Sequence, residues 1–153
     1  MKRLSLKVTV LLLVLTFGVS AALAQGICPP EKITGDIESM LSRGYCLFIA
    51  GKYKEAEAEF QKVLQKDPGN PIALNDLAAV YVKENKLDKA DTLLKEALPR
   101  AQGYKFKVNR VCDVKGVCLA FRPLQAVYGD QDLAPLVQLN LSLVKAKLAE
   151  GKK

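Results

Sequence analysis

Between residues 37 and 102, apolar residues recur at intervals of three and four positions, which is the spacing of amphipathic helices. Two short polar stretches, Ala50-Gly51-Lys52 and Glu84-Asn85-Lys86, interrupt the pattern and have the composition of tight turns. A third break is Asp67-Pro68-Gly69-Asn70, where the proline cannot continue a helix interior and the glycine or asparagine can accept a positive φ. The pattern predicts four helices, arranged as two helix–turn–helix units.

The two units are related by a shift of 34 residues, which places Ile37–Asn70 over Pro71–Tyr104. Few positions are identical, but the sizes of the side chains correspond. Small residues would let the two helices of a unit approach closely, and large ones would fill the space against the next helix. The residues with these packing roles, together with the proline that ends the first unit, are Gly44, Ala56, Phe60, Pro68, Ala78, Ala90 and Leu94.

The first unit resembles the tetratricopeptide repeat family. It carries the motif G-x-x-L-x-x-x-G-x-Y-x-x-A-x-x-x-F-x-x-V-L-x-x-D-P-x-N from Gly44 to Asn70, and a weaker version without the terminal Asp-Pro runs from Ala78 to Leu98. The resemblance implies stacked helical hairpins whose first helices line a groove that holds a peptide or a partner helix. Two unrelated amphipathic hairpins are the alternative.

The end of the chain predicts one more helix. Residues 140–153 can be laid over residues 74–87 so that apolar positions coincide, which indicates the first helix of a third repeat, cut off at its turn. Asp130 or Asp132 would cap this helix, with Pro135 in its first turn. Such a helix would cover the apolar face that two repeats leave open.

Residues 103–129 lose the helical period and are rich in β-branched and aromatic residues around a glycine-containing turn. If Val114-Lys115-Gly116 form a three-residue loop, Cys112 lies directly opposite Cys118 at a distance close to that of a disulfide. We therefore predict a β-hairpin stapled by a disulfide. The predicted fold class is mainly α, with two repeat hairpins at 37–102, the inserted hairpin at 103–129 and a capping helix at 130–153.

Four cysteines and no histidine limit the possible cysteine chemistry. A redox pair is normally C-x-x-C at a helix start, whereas five residues separate Cys112 from Cys118, and a zinc site would need all four cysteines. Free or reshuffling thiols are a further alternative. Pairing these two leaves Cys28 with Cys46, a bridge that would hold an N-terminal strap, residues 25–36, across the first repeat helix. Cys28 can alternatively be disordered or pair with another molecule.

The chain opens with the pattern of a removable secretory signal. Lys2, Arg3 and Lys7 form a positive region, an uncharged apolar run follows, and Ala22-Leu23-Ala24 supplies small residues for cleavage. We expect residues 1–24 to be removed; the alternative is an uncleaved membrane anchor, for which the apolar run is short. The expected product is a small exported bacterial protein of the tetratricopeptide repeat family, periplasmic or secreted and without a transmembrane span. Its compartment would be oxidising and would favour disulfides.

The positive charge of the chain is unevenly distributed. The formal net charge is +7, yet residues 37–98 carry nine basic and ten acidic side chains and nearly cancel. Residues 99–128 carry six basic side chains against one acidic side chain, so this segment predicts a basic hairpin that can attract an anionic surface such as lipid headgroups or acidic polysaccharide. Its cations are Arg100, Lys105, Lys107, Arg110, Lys115 and Arg122.

The resemblance implies a non-enzymatic module or scaffold that binds a protein or peptide partner in the cell envelope, through the repeat groove, the basic hairpin or both. Ser42 and Asp76 stand where the carboxylate clamp of the family has asparagine, so that clamp is not expected. Each groove candidate can alternatively be solvated or contact the C-terminal helix. The candidates are Ser42, Tyr45, Ile49, Asn75, Asp76, Ala79 and Lys83.

Enzymatic chemistry has little support in the sequence. The chain contains no histidine, no glycine-rich phosphate loop and no serine in a nucleophile-elbow context. We therefore expect no catalytic residues, no metal and no cofactor, with a thiol–disulfide enzyme as the remaining catalytic alternative. Nucleic acid is not an expected partner, because the chain is predicted to be exported and its repeats are nearly neutral.

Overall fold

The computed structural model describes residues 35–104, 109–112, 118–121 and 132–151, with the backbone alone for Asn109–Cys112 and Phe121. The chain divides into two units, Met1–Lys32 and Ile33–Lys153, and every described residue belongs to the second. The helices and strands, in chain order, are α1 (Ile37–Ile49), α2 (Tyr53–Lys66), α3 (Pro71–Lys83), α4 (Leu87–Ala101), β1 (Asn109–Cys112), β2 (Cys118–Phe121) and α5 (Leu133–Glu150).

The mainly α fold that the sequence predicts is confirmed over the described residues. α1 packs against α2 and α3 against α4, so the chain forms two helical hairpins. The hairpins are joined by contacts between α2 and α3, and α4 packs in the same way against α5. This order of contacts is that of a stack in which each helix packs mainly on its neighbours in the chain.

Side chains cap the two helices that open the hairpins. Asp36 Oδ1 accepts a hydrogen bond from the Ser39 N–H at 2.8 Å at the start of α1, and Asn70 Oδ1 accepts one from the Ala73 N–H at 3.0 Å at the start of α3. The sequence allows a positive φ at Gly69 or Asn70, but neither residue adopts one. Asn70 has φ −60° because it serves as the N-cap of α3, and Gly69 is not among the described residues with positive φ.

The turns inside the two hairpins have the same structure at positions 34 residues apart. Gly51 has φ 76° and Asn85 has φ 59°, and the next residue in each turn donates its N–H to a carbonyl five residues earlier. These bonds are Lys52 N–H to Leu47 O at 2.9 Å and Lys86 N–H to Tyr81 O at 2.8 Å. This is the Schellman arrangement, in which a left-handed residue ends a helix and satisfies its last carbonyls.

Small residues bring the helices of each hairpin together. A Cβ at Gly44 would lie 2.5 Å from Cε1 of Phe60, so only glycine lets α1 approach this ring. In the second hairpin, Ala78 of α3 and Leu94 of α4 are both buried. Ala56 and Ala90 are fully buried as well, whereas Pro68 is exposed in the turn between the hairpins. The buried core therefore runs between the two helices of each hairpin.

The helix after the insertion, α5, begins at Leu133 with Asp132 in the N-cap position and Pro135 in its first turn. It packs mainly against α4 and less against α3. Leu133, Leu136, Val137 and Val144 form its buried face. α5 therefore packs on α4 as α3 packs on α2, and its assignment as a truncated third repeat stays a prediction. Within the described ranges, none of the helices is both long enough and apolar enough to cross a membrane.

β1 and β2 form a two-stranded antiparallel sheet between α4 and α5 in the chain. In its register Cys112 lies opposite Cys118 and Asn109 opposite Phe121, which is the pairing of the two cysteines that the sequence predicts. The described cysteine side chains, Cys46 and Cys118, are each disulfide-bonded, and neither is free. The disulfide pairing stays a prediction, because Cys28 and the sulfur of Cys112 lie outside the described residues.

Candidate binding groove

Strand β2 lies on the surface formed by α1, α3 and α5, which we call the groove. Most of its contacts are with α3, and it also contacts α1 and α5. Cys118 and Leu119 are 1% exposed and Ala120 is 0% exposed, so the strand belongs to the hydrophobic core. In this structure the groove therefore contains a segment of the chain itself.

The main chain of Cys118 is bound by two asparagine side chains. Asn140 of α5 accepts the Cys118 N–H at 3.0 Å through Oδ1 and donates from Nδ2 to the Cys118 carbonyl at 2.6 Å. Asn75 of α3 donates from Nδ2 to the same carbonyl at 3.2 Å. A side-chain amide matches a peptide group in this way because it carries one acceptor and one donor group.

Asp76 binds the strand two residues further on. Its Oδ1 accepts the Ala120 N–H at 2.9 Å and also a hydrogen bond from Asn75 Nδ2 at 2.9 Å. Asn140 Nδ2 in turn donates to Asn75 Oδ1 at 2.8 Å. Asn75, Asp76 and Asn140 are 0%, 0% and 3% exposed, so this is a buried polar network that joins α3, α5 and β2. Such networks fix one arrangement of a core, since each buried partner left unpaired is costly.

The carboxyl group of Asp76 has an unusual environment. Burial raises its pKa to about 8, against the opposing effect of the hydrogen bonds from Ala120 and Asn75. Its second oxygen, Oδ2, has no hydrogen-bond partner among the described residues. Burial also raises the pKa of Tyr45 on α1, and the charge of Asp76 adds to that shift. Because the pKa of Asp76 is raised to about 8, its carboxyl group is mainly protonated at pH 7.

The bonds from β2 to the helices also define how β2 pairs with β1. In an antiparallel pair, the main-chain groups of successive residues point alternately toward and away from the partner strand. The groups of Cys118 and Ala120 that bond to the helices point away from β1. Cys112 and Cys118 are therefore a non-hydrogen-bonded pair, in which Cα atoms are about 4.5 Å apart, within the range of a disulfide.

Comparison with known proteins agrees with this architecture. Residues 47–106 match a family model described as Tetratricopeptide repeat. This segment is similar to tetratricopeptide repeats. The chain is similar to DnaJ homolog subfamily C member 3 of Gallus gallus, with 28% identity over 107 residues, which are 69% of this chain and 20% of that protein.

A second relative is the Petunia hybrida protein named Probable UDP-N-acetylglucosamine--peptide N-acetylglucosaminyltransferase SPINDLY. It is 31% identical over 75 residues, which are 49% of this chain and 8% of that protein. The chain therefore spans a fifth or less of the length of these two curated relatives.

The groove candidates named from the sequence divide into two groups. Asn75 and Asp76 hold β2, and Ala79 is buried where α3 faces Asn140 of α5, so these residues do not face solvent. Tyr45 is buried on α1 beside Asp76. The other three are more accessible: Ile49 is 48% exposed, and Ser42 and Lys83 are half-buried.

Asn140 is the groove residue that sequence analysis missed. The sequence predicts it only as a residue of the capping helix, without a binding role. A signal was present, because Asn140 follows Leu136 and Val137 at helical spacing and precedes Val144 by four residues, so it belongs to the apolar stripe of α5. A polar residue in such a stripe requires a buried hydrogen-bond partner.

The cations assigned to the basic hairpin are only partly described. Arg100 lies in the last turn of α4, where its guanidinium is next to Gly69 and 3.6 Å from a carboxylate oxygen of Glu96, so it belongs to the helical region. Arg110 is placed in β1 by its backbone. Lys105, Lys107, Lys115 and Arg122 lie outside the described residues.

Proposed function

We propose that this protein is an exported, non-enzymatic interaction module or scaffold of the cell envelope that binds a protein partner. Tetratricopeptide repeats bind other proteins, and residues 47–106 match the model of this family. One observation carries the proposal. The groove already holds an extended polypeptide strand through hydrogen bonds from Asn75, Asp76 and Asn140 to its main chain. The chemistry of the groove therefore suits polypeptide.

Export is supported by two features. Residues 1–24 have the pattern of a removable signal, and Cys46 and Cys118 are both disulfide-bonded. Disulfides persist in the periplasm and outside the cell, so we infer a periplasmic or secreted protein. Mass spectrometry of the protein purified from its native cell tests this inference. An N-terminus at Gln25 is expected, and an N-terminus at Met1 would contradict it.

The non-enzymatic assignment is supported by the state of Cys118. Its side chain is 1% exposed and disulfide-bonded, so an attacking thiolate has no access to its sulfur. We expect the Cys112→Ser/Cys118→Ser variant to lose stability. An insulin-reduction assay would find no reductase activity in the wild type; measurable activity that this variant lacks would favour a thiol–disulfide enzyme.

Partner binding is tested by affinity capture of tagged protein from native envelope extract. Two double variants each lower the net charge by two: Lys105→Gln/Lys107→Gln in the insertion and Lys145→Gln/Lys147→Gln on α5. If the basic hairpin is the binding surface, the first variant weakens capture, the second does not, and capture is lost by about 0.5 M salt. Capture through the groove would persist in salt and in both variants. A failure to retain any protein specifically would contradict the proposed function.

A second candidate function is attachment to an anionic envelope surface. It is favoured by the charge distribution, since residues 99–128 carry six basic side chains and one acidic side chain. Co-sedimentation with vesicles tests it. Binding to vesicles of anionic lipid, absent with zwitterionic lipid and reduced in the Lys105→Gln/Lys107→Gln variant, would support it. Equal sedimentation with both vesicle types would rule this candidate out.

A further inference from the structure

Strand β2 occupies the groove in the way that a bound peptide would. Its described side chains, those of Cys118-Leu119-Ala120, are uncharged and at most 1% exposed. Four hydrogen bonds join its main chain to side chains of α3 and α5. Main-chain bonds do not depend on the side chains of the occupant, so the polar network does not require this particular segment.

We propose that the groove is a strand-binding site that β2 closes from within, and that a partner protein enters it with an extended segment that displaces β2. The proposal rests on the proposed protein-binding function and deepens it. The segment would present one peptide N–H and C=O to Asn140 and Asn75, and a second N–H two residues later to Asp76. Its side chains in the groove would be uncharged, with a large apolar residue between two small ones, as in Cys118-Leu119-Ala120.

The connection of β2 to the rest of the chain explains how the site is kept closed. β2 is linked to α4 on one side and to α5 on the other, so it competes as an intramolecular ligand. Short linkers give effective concentrations in the millimolar range. Only molecules in which β2 has left the groove can bind a segment added from outside. The apparent affinity for that segment is therefore the intrinsic affinity multiplied by the fraction of such molecules. A micromolar probe should therefore bind the wild type weakly and bind tightly once β2 is weakened.

The test uses the full chain and a fluorescently labelled synthetic peptide with the sequence of residues 116–122, in which serine replaces the cysteine to prevent mixed disulfides. The Ala120→Pro variant removes the N–H that β2 donates to Asp76 and leaves Asn75, Asp76 and Asn140 in place. Fluorescence anisotropy should find the peptide bound at least about tenfold more tightly by this variant than by the wild type. Equal binding, with the helical circular dichroism retained, would overturn the proposal.

Two controls show whether the bound peptide uses the groove. A peptide with proline at the position of Ala120 lacks the same N–H and should lose the affinity gained by the variant. Adding Asn140→Leu to the Ala120→Pro variant removes the amide that binds the first peptide group, and should also abolish the gain. Retained binding in both controls would place the peptide outside the groove and contradict the proposal.

Hydrogen exchange on the wild type keeps the proposal testable if Ala120→Pro does not fold. Unlabelled peptide at millimolar concentration should speed exchange of the Cys118 and Ala120 amides by about fivefold or more, because displaced β2 loses its bonds to Asn140 and Asp76. Unchanged exchange would overturn strand displacement. Because the probe is a synthetic peptide, this failure is separate from that of the envelope capture experiment, which tests partner binding itself.

Discussion

Asp76 is fully buried, and its ionisation affects the stability of the fold. Burial raises its pKa to about 8, whereas an aspartate in an unfolded chain has a pKa of about 4. Between these two values the folded chain holds one proton more than the unfolded chain. The stability that the protonated Asp76 contributes to the folded state is therefore fully present below about pH 4 and is lost as the pH rises through about 8.

The Asp76→Asn variant should remove this pH dependence. Asparagine keeps an oxygen that can accept the Ala120 N–H, but it does not titrate. The free energy of unfolding of both proteins can be measured with guanidinium between pH 4 and pH 8. The value for the variant minus the value for the wild type should increase with pH, by up to a few kcal/mol. Asp88→Asn, an exposed position on α4, is the matched control. Parallel pH profiles for Asp76→Asn and the wild type would contradict the prediction.

Asn140 should be among the most sensitive positions of α5. In the Asn140→Leu variant, the Cys118 N–H and Asn75 Oδ1 lose their partners inside the core. Each buried polar group left unpaired costs about 1–3 kcal/mol, so with two such groups chemical denaturation should find a loss of roughly 2–6 kcal/mol. Gln138→Leu makes the same kind of change on the exposed face of α5, where we expect a change within about 0.5 kcal/mol. Similar losses in both variants would argue against a role of the network.

At the scale of single elements, the approach of α1 to α2 depends on Gly44. Alanine favours a helix over glycine by about 1 kcal/mol. A Cβ here, however, would lie 2.5 Å from Cε1 of Phe60, and overpacking of this kind costs about 1–3 kcal/mol. Gly44→Ala should therefore lower the melting temperature, although alanine has a higher helix propensity than glycine.

The Phe60→Leu substitution should reduce the cost of Gly44→Ala, because it removes the ring that the new methyl group meets. In a double-mutant cycle the two substitutions should couple favourably, by about 0.5 kcal/mol or more. Gly103→Ala is the control, since a Cβ there has nothing within 4 Å among the residues that the structure describes. Strict additivity of the two substitutions would show that contact with Phe60 is not what excludes alanine.

The β-hairpin carries a prediction about disulfide pairing. Cys118 is disulfide-bonded and lies opposite Cys112 in the register. Trypsin cleaves after Lys115, between the two cysteines, but not after Arg122, which precedes Pro123, so peptides Val111–Lys115 and Gly116–Lys145 should be recovered as one joined mass without reductant. On the entropic model, a loop this short contributes about 2–3 kcal/mol to stability. Recovery of Gly116–Lys145 joined to another cysteine peptide would disprove the pairing.

These elements show which features local sequence could predict. The turns at Gly51 and Asn85 were predicted because a left-handed backbone requires particular residue types. The sequence also predicts the break at residues 67–70, but asparagine suits both a left-handed conformation and an N-cap, and the structure shows Asn70 as the N-cap of α3. The insertion of β2 into the groove could not be predicted, because Asn75 bonds to Cys118 across 43 residues of chain. Periodicity shows that a polar residue is buried, but only the tertiary packing determines its partner.

At the scale of the whole molecule, β2 changes how stability is shared along the repeats. In a simple stack each repeat is stabilised only by its neighbours, so a weakened first helix need not affect the last one. Here β2 contacts α1, α3 and α5 together. We therefore expect Met40→Ala, a core substitution in α1, to lower the hydrogen-exchange protection of α5 as well as that of α1.

The same measurement can show whether β2 carries this coupling. Leu119 is the large buried side chain of the strand, and Leu119→Ala should loosen its packing against the helices. In that background, Met40→Ala should still lower protection in α1, but its effect on α5 should shrink, because the connection between the two helices is weakened. A control substitution at an exposed residue of α5, Leu139→Ala, should leave the coupling unchanged. If Met40→Ala affects α5 equally in both backgrounds, the coupling runs through α2, α3 and α4, and β2 serves only to fill the groove.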